Sequence, residues 1–126
     1  MTLTFYHFNA SPPSRIVLLA IRSLGLENVN IKVVDLFKGE QNSEEYLKLN
    51  PLNKVPLLVD DGFVITESRA IAQYLVESQV ADSGLYPNDA KVRAMINQRM
   101  YYDATVAFPR IIDVVVSKDE LKKFHH

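Results

Sequence analysis

The 126-residue chain is 48% hydrophobic and 23% charged, a balance typical of one soluble globular domain with part of a second, which excludes disorder and collagen-like repeats. It has no cysteine, which excludes disulfide exchange, cysteine-based zinc sites and thiol proteases and fits a reduced compartment. Fourteen basic and 15 acidic residues are interspersed. Residues 1–13 lack the basic and apolar regions of a signal peptide, and no apolar run approaches the ~20 residues of a membrane span. We therefore expect a cytoplasmic protein that binds neither nucleic acid nor membrane.

The beginning of the chain predicts a strand, a helix and a second strand. Residues 3–8 are aromatic and β-branched, and turn-forming residues follow them. Residues 14–24 predict a helix that stops at Gly25. Its apolar side chains recur at helical spacing, at Val17, Ala20, Ile21 and Leu24. Residues 29–36 alternate between apolar and polar. This second strand is expected to be parallel to the first because a helix connects the two.

A short helix and a hairpin are predicted next. Asn42 with Glu45 three residues later predicts a capping box for a helix over residues 43–49, and Asn50-Pro51 ends it. Asp61-Gly62, between two short apolar runs, predicts a hairpin of two strands.

A third helix completes the predicted α/β domain. Residues 66–68 are of types that favour a helix start, and the helix is expected to end near Gln79. Apolar side chains recur between them at helical spacing, at Ala70, Ile71, Tyr74 and Leu75. The order β-α-β-α-β-β-α is that of a thioredoxin-like fold. In that fold the Val55-Pro56 bond, before the third strand, is expected to be cis.

The second half of the chain predicts a domain boundary. We expect the first domain to span residues 1–80, a linker residues 81–87, and the start of an all-α second domain residues 88–126. Residues 89–116 form one long helical pattern that Pro109 is expected to interrupt, and the charged tail 117–126 is expected to be helical or frayed.

Several sequence blocks fall in register with one known family over about residues 3–113. They are SPPSR at 11–15, VDLFKGE at 34–40, NPLNKVP at 50–56, ESRAI at 67–71, LYP at 85–87 and INQR at 96–99. Together they resemble the cytosolic glutathione S-transferases, and most of all the insect delta and epsilon classes. The resemblance implies that the thiolate of glutathione, the co-substrate, is added to hydrophobic electrophiles in detoxification by a homodimer with no metal.

The resemblance makes Ser11 the candidate catalytic residue. A thiol of pKa ~8.5 is mostly protonated at pH 7, and a hydroxyl donor at a helix N-terminus stabilises the reactive thiolate. Read without the family, Ser11 is a turn or capping residue. Ser14 in the same loop and Tyr6 on the first strand are the competing hydroxyl groups.

The resemblance also implies the rest of the glutathione site. The backbone of Val55, before Pro56, would pair with the cysteinyl part, as in strand addition. Glu67, Ser68 and the N-terminus of the third helix would hold the γ-glutamyl end, with Arg69 adding charge. Without the family these three are ordinary capping and surface residues.

Other implied positions are less typical. Asn53 and Gln41 stand where the insect classes often have histidines that hold the glycyl end. Both can donate a hydrogen bond but cannot become cationic, and Lys54 is expected to replace the lost charge. Phe108, Ile111 and Val116 match the hydrophobic-substrate pocket, or are interhelical core.

The length leaves alternative functions open. We expect a fragment of a longer transferase, or a shortened form that keeps the glutathione half. The alternatives to a conjugating enzyme are a binding module without turnover and a glutathione-dependent isomerase or peroxidase.

Overall fold

The computed structural model describes residues 2–116 and divides into two compact units, Met1–Leu85 and Tyr86–His126. The charged tail 117–126, with its predicted helix or frayed end, lies outside the described residues. Among residues 2–116, no helix combines the length and the hydropathy needed to cross a membrane.

The first unit is a mixed four-stranded sheet with helices, which confirms the predicted thioredoxin-like fold. The strand order is β2-β1-β3-β4; β1 and β2 are parallel, and β3 is antiparallel to both of its neighbours. The elements are β1 (Leu3–His7), α1 (Pro12–Ser23), β2 (Val29–Val33), α2 (Glu44–Leu49), β3 (Leu57–Asp60), β4 (Phe63–Thr66) and α3 (Ser68–Gln79).

The main core lies on the side of the sheet that α1 and α3 cover. Alternate residues of β1 and one residue of β3 face it, and the two helices supply the rest; the fully or nearly fully buried members are Leu3, Phe5, Val17, Ile21, Leu58, Ile71 and Leu75. Of the stripe predicted for α3, Ala70 is exposed and lies outside this core. Burying each large apolar side chain contributes about 1.5–3 kcal/mol. A second, smaller cluster on Val34, Tyr46 and Leu57 lies under α2. These two clusters fix the sheet against its helices.

Local chemistry shifts several predicted boundaries. Helix α1 begins at Pro12, earlier than predicted, because proline is favoured in a first helical turn that needs no N–H donor. The predicted capping box is wrong: the hydroxyl of Ser43, not the side chain of Asn42, accepts the N–H of Tyr46 at 3.2 Å.

The second strand is shorter than predicted. It stops at Val33, and the Asp35 side chain then accepts the N–H of Phe37 at 3.0 Å and caps a 3₁₀ turn, Leu36–Lys38. Ile31 and Val33 are exposed, because β2 is an edge strand and neither residue is covered. Alternation in this strand therefore did not predict burial.

The predicted hairpin is confirmed. Asp61 and Gly62 form a two-residue turn and both have positive φ, 47° and 89°. These angles match the right-handed twist of the flanking strands and explain the Asp-Gly pair.

The stability of the first unit is expected to depend on His7. This residue is 5% exposed, stacks on Phe5 at 5.3 Å, and has a pKa that burial lowers below the usual 6.5. Because the unfolded chain takes up the proton more readily, the free energy of unfolding is at its full value above pH 6.5 and falls as the pH drops below it. Urea titrations between pH 5 and 7 check this, and His7→Leu should flatten the dependence. An unchanged slope in that variant would contradict the assignment.

The second unit contains α4 (Ala90–Tyr102) and α5 (Phe108–Val115) joined by a π-helical segment, Asp103–Ala107. The interruption predicted at Pro109 is thus a π segment just before it, in which the N–H of Phe108 bonds to the carbonyl of Asp103. Proline has no N–H for the residue four positions back, and this favours such an insertion. No residue from 86 to 116 is buried, and apolar side chains of α4 and α5 lie open, including Met95, Ile111, Val114 and Val115.

Candidate functional site

The register of the sheet brings the predicted site segments of the first unit to one edge. His7, at the end of β1, pairs with Val33 at the end of β2, so the segments that follow both strands leave at this edge. Leu57, at the start of β3, pairs with Tyr6 and with Thr66 at the end of β4. The residues before β3 and after β4 therefore lie at this edge too. Across it, the order is Gln41 beyond β2, Ser11 beyond β1, Val55 before β3 and Glu67 after β4.

Ser11 is half-buried and forms the N-cap of α1. Its Oγ accepts the N–H of Ser14 at 3.3 Å, and its own N–H donates to the carbonyl of Phe8 at 3.0 Å. Pro12 and Pro13 follow and have no N–H, so the first turn of α1 directs few donors towards the edge. The proton of the Ser11 hydroxyl donates to no described residue, which leaves it available to a ligand.

The two residues that carry the competing hydroxyl groups are placed differently from Ser11. Ser14 is 1% exposed, and its Oγ accepts the N–H of Phe8 at 3.3 Å. Tyr6 points to the α2 side of the sheet, where its ring meets that of Tyr46 edge-on at 5.9 Å and lies beneath the Lys32 ammonium at 5.4 Å. Ser14 is too buried to meet a ligand, and Tyr6 lies on β1 and not at the start of a helix.

Side chains from α2 and its C-terminal end hold the segment before β3, at Lys54. The carbonyl of Lys54 accepts two hydrogen bonds, from the hydroxyl of Tyr46 at 2.6 Å and from Nδ2 of Asn50 at 2.8 Å. Burial raises the pKa of Tyr46 to about 12. The Val55-Pro56 bond is cis, as expected, and within residues 2–116 the N–H and carbonyl of Val55 make no hydrogen bond.

Glu67 begins α3 in an unusual conformation. Its φ of 70° and ψ of 109° lie where residues other than glycine are rare, and its side chain makes no capping hydrogen bond. The reading of Glu67 as an ordinary capping residue is therefore wrong. Ser68 is 2% exposed, and its Oγ accepts Nη1 of Arg69 at 3.1 Å. Backbone strain of this kind, about 1–3 kcal/mol, is concentrated at functional sites.

The residues predicted for the glycyl end differ in access. Lys54 has an exposed side chain. Asn53 has a φ of 49°, and its Nδ2 donates to Oδ1 of Asn42 at 2.8 Å. Gln41 is 5% exposed; its Nε2 donates to the carbonyl of Leu36 at 3.4 Å, and its Oε1 is buried with no partner in the described chain. Gln41 thus supports, from inside the protein, the segment that follows β2.

The predicted electrophile residues lie in the second unit. Phe108 and Ile111 are on α5, and Val116 follows its last turn. Ile111 is exposed, whereas Phe108 and Val116 are half-buried. In residues 2–116, no group of three or more His, Asp or Glu side chains is arranged to hold a metal ion.

Tyr46 and Asn50 were missed as parts of the site. Asn50 stands in one of the blocks that carry the resemblance, but its place before Pro51 predicts only a helix end. Tyr46 fits the apolar pattern of a helix, and no sequence pattern predicts that its hydroxyl reaches the carbonyl of Lys54. That contact depends on how α2 packs beside β3.

The fold and the edge site define a thioredoxin-like domain, and comparison with known proteins identifies the family. Residues 1–77 match the model of the glutathione S-transferase N-terminal domain. The chain is 44% identical over 111 residues to glutathione S-transferase 1 of Manduca sexta, covering 88% of this chain and 51% of that protein.

Solved structures give the same result. An epsilon-class glutathione S-transferase from the housefly, Musca domestica, superimposes with a TM-score of 0.81 at 46% identity, over 86% of this chain and 49% of that one. A glutathione transferase homolog from Drosophila mojavensis with bound glutathione gives 0.83 at 36% identity, over 97% and 60%. The chain belongs to the glutathione S-transferase family, with relatives in the insect delta and epsilon classes, and spans about half the length of the curated relatives it matches.

Proposed function

We propose that the first unit binds glutathione along this sheet edge and that the protein conjugates the glutathione thiolate to hydrophobic electrophiles. The observation that carries the proposal is the Ser11 hydroxyl, which caps α1 and keeps its proton available at the edge where the Val55 backbone is unpaired. Three strand spacings of about 4.8 Å separate β2 from β4, so the edge is about 14 Å long, a length that suits an extended tripeptide.

The chemistry at Ser11 follows from its hydrogen bonds. The N–H of Ser14 donates to Oγ and polarises the hydroxyl, which makes it a better donor to an anion. Because Pro12 and Pro13 have no N–H, the positive end of the α1 dipole acts on the sulfur mainly through this hydroxyl. Lowering the thiol pKa by about two units corresponds to roughly 2.7 kcal/mol of preferential thiolate stabilisation.

The γ-glutamyl end belongs at the start of α3. The exposed carboxylate of Glu67 accepts the ligand's ammonium group, and the first turn of α3, with Ser68, receives the carboxylate. Arg69 adds positive charge beside Ser68. The strained backbone of Glu67 is consistent with a residue kept for binding rather than for stability.

The cysteinyl and glycyl parts run on from there towards β2. The free N–H and carbonyl of Val55 pair with the cysteinyl backbone. Pro56, which has no N–H, ends this pairing. The exposed Lys54 ammonium and the remaining donor of Asn53 hold the glycyl carboxylate. Gln41 contributes from inside the protein, where its Nε2 donates to the Leu36 carbonyl and supports the segment that follows β2.

The rest of the activity is attributed to the longer protein represented by these relatives. Phe108, Ile111 and Val116 are assigned to the binding of the hydrophobic electrophile, in keeping with their apolar character. We assign a homodimer with α3 and α4 contributing to its interface, a role in detoxification, and a cytoplasmic location, which agrees with a cysteine-free sequence.

Calorimetric titration with glutathione tests the proposal, followed by an assay of conjugation to an activated aryl halide. We expect saturable one-site binding and consumption of thiol that depends on the protein. Binding without turnover would leave a glutathione-binding module, and absence of binding would refute the proposed function.

A further inference from the structure

The peptide unit between Lys54 and Val55 is held in one orientation by two buried side chains. The Lys54 carbonyl has two lone pairs, and both are used: one by the Tyr46 hydroxyl at 2.6 Å and one by the Asn50 amide at 2.8 Å. Tyr46 is 4% exposed and Asn50 is 3% exposed, so water does not compete for these bonds. The carbonyl therefore has little freedom to rotate.

The orientation of this carbonyl determines that of the neighbouring N–H. Among the described residues the only cis bond is Val55-Pro56, so the Lys54–Val55 bond is trans. In a planar trans peptide the C=O and the N–H point in opposite directions. Since the Lys54 carbonyl points at α2, the N–H of Val55 points away from α2, where no described residue bonds to it.

We infer that Tyr46 is a positioning residue for glutathione: with Asn50, its hydroxyl fixes the Lys54–Val55 peptide plane so that the Val55 N–H is already aimed at the ligand. This inference rests on the proposed function, because it assigns the Val55 N–H to the cysteinyl part of glutathione. A donor that is oriented in advance loses less conformational entropy on binding than one that must be ordered by the ligand. The hydroxyl remains protonated at all pH values used for assays, because burial raises the pKa of Tyr46 to about 12.

The test compares two variants that each remove one tyrosine hydroxyl. Tyr46→Phe removes the bond to the Lys54 carbonyl, and Tyr74→Phe removes a bond of similar length, 2.7 Å, to Oδ2 of Asp60 at the opposite edge of the sheet. Both should lower thermal stability to a similar extent. Only Tyr46→Phe should weaken glutathione binding, by about tenfold in Kd. It should leave the pKa of the bound thiol unchanged, because the surroundings of Ser11 are unaffected. Equal affinities in the two variants would overturn the inference.

A measurement without ligand keeps the inference separate from the proposed function. The ¹⁵N order parameter of the Val55 amide should be close to the ~0.85 of rigid backbone in the unmodified chain and in Tyr74→Phe, and clearly lower in Tyr46→Phe. Asn50→Asp, which removes the amide donor but keeps the oxygen that accepts the Leu52 N–H, provides a second variant if Tyr46→Phe does not fold. An order parameter that falls in neither variant would refute the positioning role. Failure of the unmodified chain to bind glutathione, with the order parameters as expected, would refute the proposed function and, with it, the ligand assigned to this N–H.

Discussion

Replacing Ser11 by alanine is expected to reduce the thiolate fraction of bound glutathione at pH 7 about 25-fold. The hydroxyl is the donor that α1 presents at the sheet edge, so without it the thiol pKa returns from about 6.5 towards about 8.5, and the ionised fraction falls from roughly three-quarters to about 3%. Ultraviolet absorbance of the thiolate at saturating glutathione measures this fraction directly.

Two further variants make the Ser11 result specific. Ser11→Thr keeps the hydroxyl and should retain most of the thiolate, whereas Ser11→Gly should behave like Ser11→Ala. Tyr6→Phe should leave the fraction unchanged, because Tyr6 packs against Tyr46 on the α2 side of the sheet. If Ser11→Ala kept the thiolate while Tyr6→Phe lost it, the assignment of the activating hydroxyl would be wrong.

Replacing Glu67 by glycine is expected to change stability and affinity in opposite directions. Glycine adopts the φ of 70° without a Cβ penalty, so relief of backbone strain should exceed the added entropy of the unfolded chain and raise the free energy of unfolding by about 1 kcal/mol. Loss of the carboxylate that accepts the γ-glutamyl ammonium should weaken glutathione binding by about 10–100-fold. Urea unfolding and calorimetric titration measure the two effects.

Glu67→Gln is the matched control for this prediction. It keeps the strained backbone and removes only the charge, so it should lose affinity without gaining stability. A glutathione analogue that lacks the amino group should bind the unmodified chain and Glu67→Gln equally. Glu67→Gly with unchanged affinity would show that this carboxylate does not touch the ligand.

Much of the first unit could be predicted because its local signals agree with its tertiary packing. The apolar stripes of α1 and α3 face the sheet, and Asp61-Gly62 supplies the positive φ angles that a two-residue hairpin turn requires. Helical spacing and turn chemistry act over a few residues, so they can be read from a single sequence.

The features that could not be predicted depend instead on neighbours that are distant in sequence. The alternation of residues 29–36 indicates a strand, but it does not show that this strand lies at the sheet edge with Ile31 and Val33 exposed. The bond from Tyr46 to the Lys54 carbonyl depends on how α2 packs. Positive φ at Glu67 has no sequence signature, because the residue type is one that avoids it.

The pH dependence of glutathione affinity tests most directly whether this chain binds the thiolate form. If the thiol pKa is about 6.5 when bound and about 8.5 when free, Kd should decrease about 25-fold between these two pH values, and binding midway between them should release close to one proton. S-methylglutathione, which has no ionisable thiol, should show no such slope. Parallel behaviour of the two ligands, or no binding by either, would contradict the account.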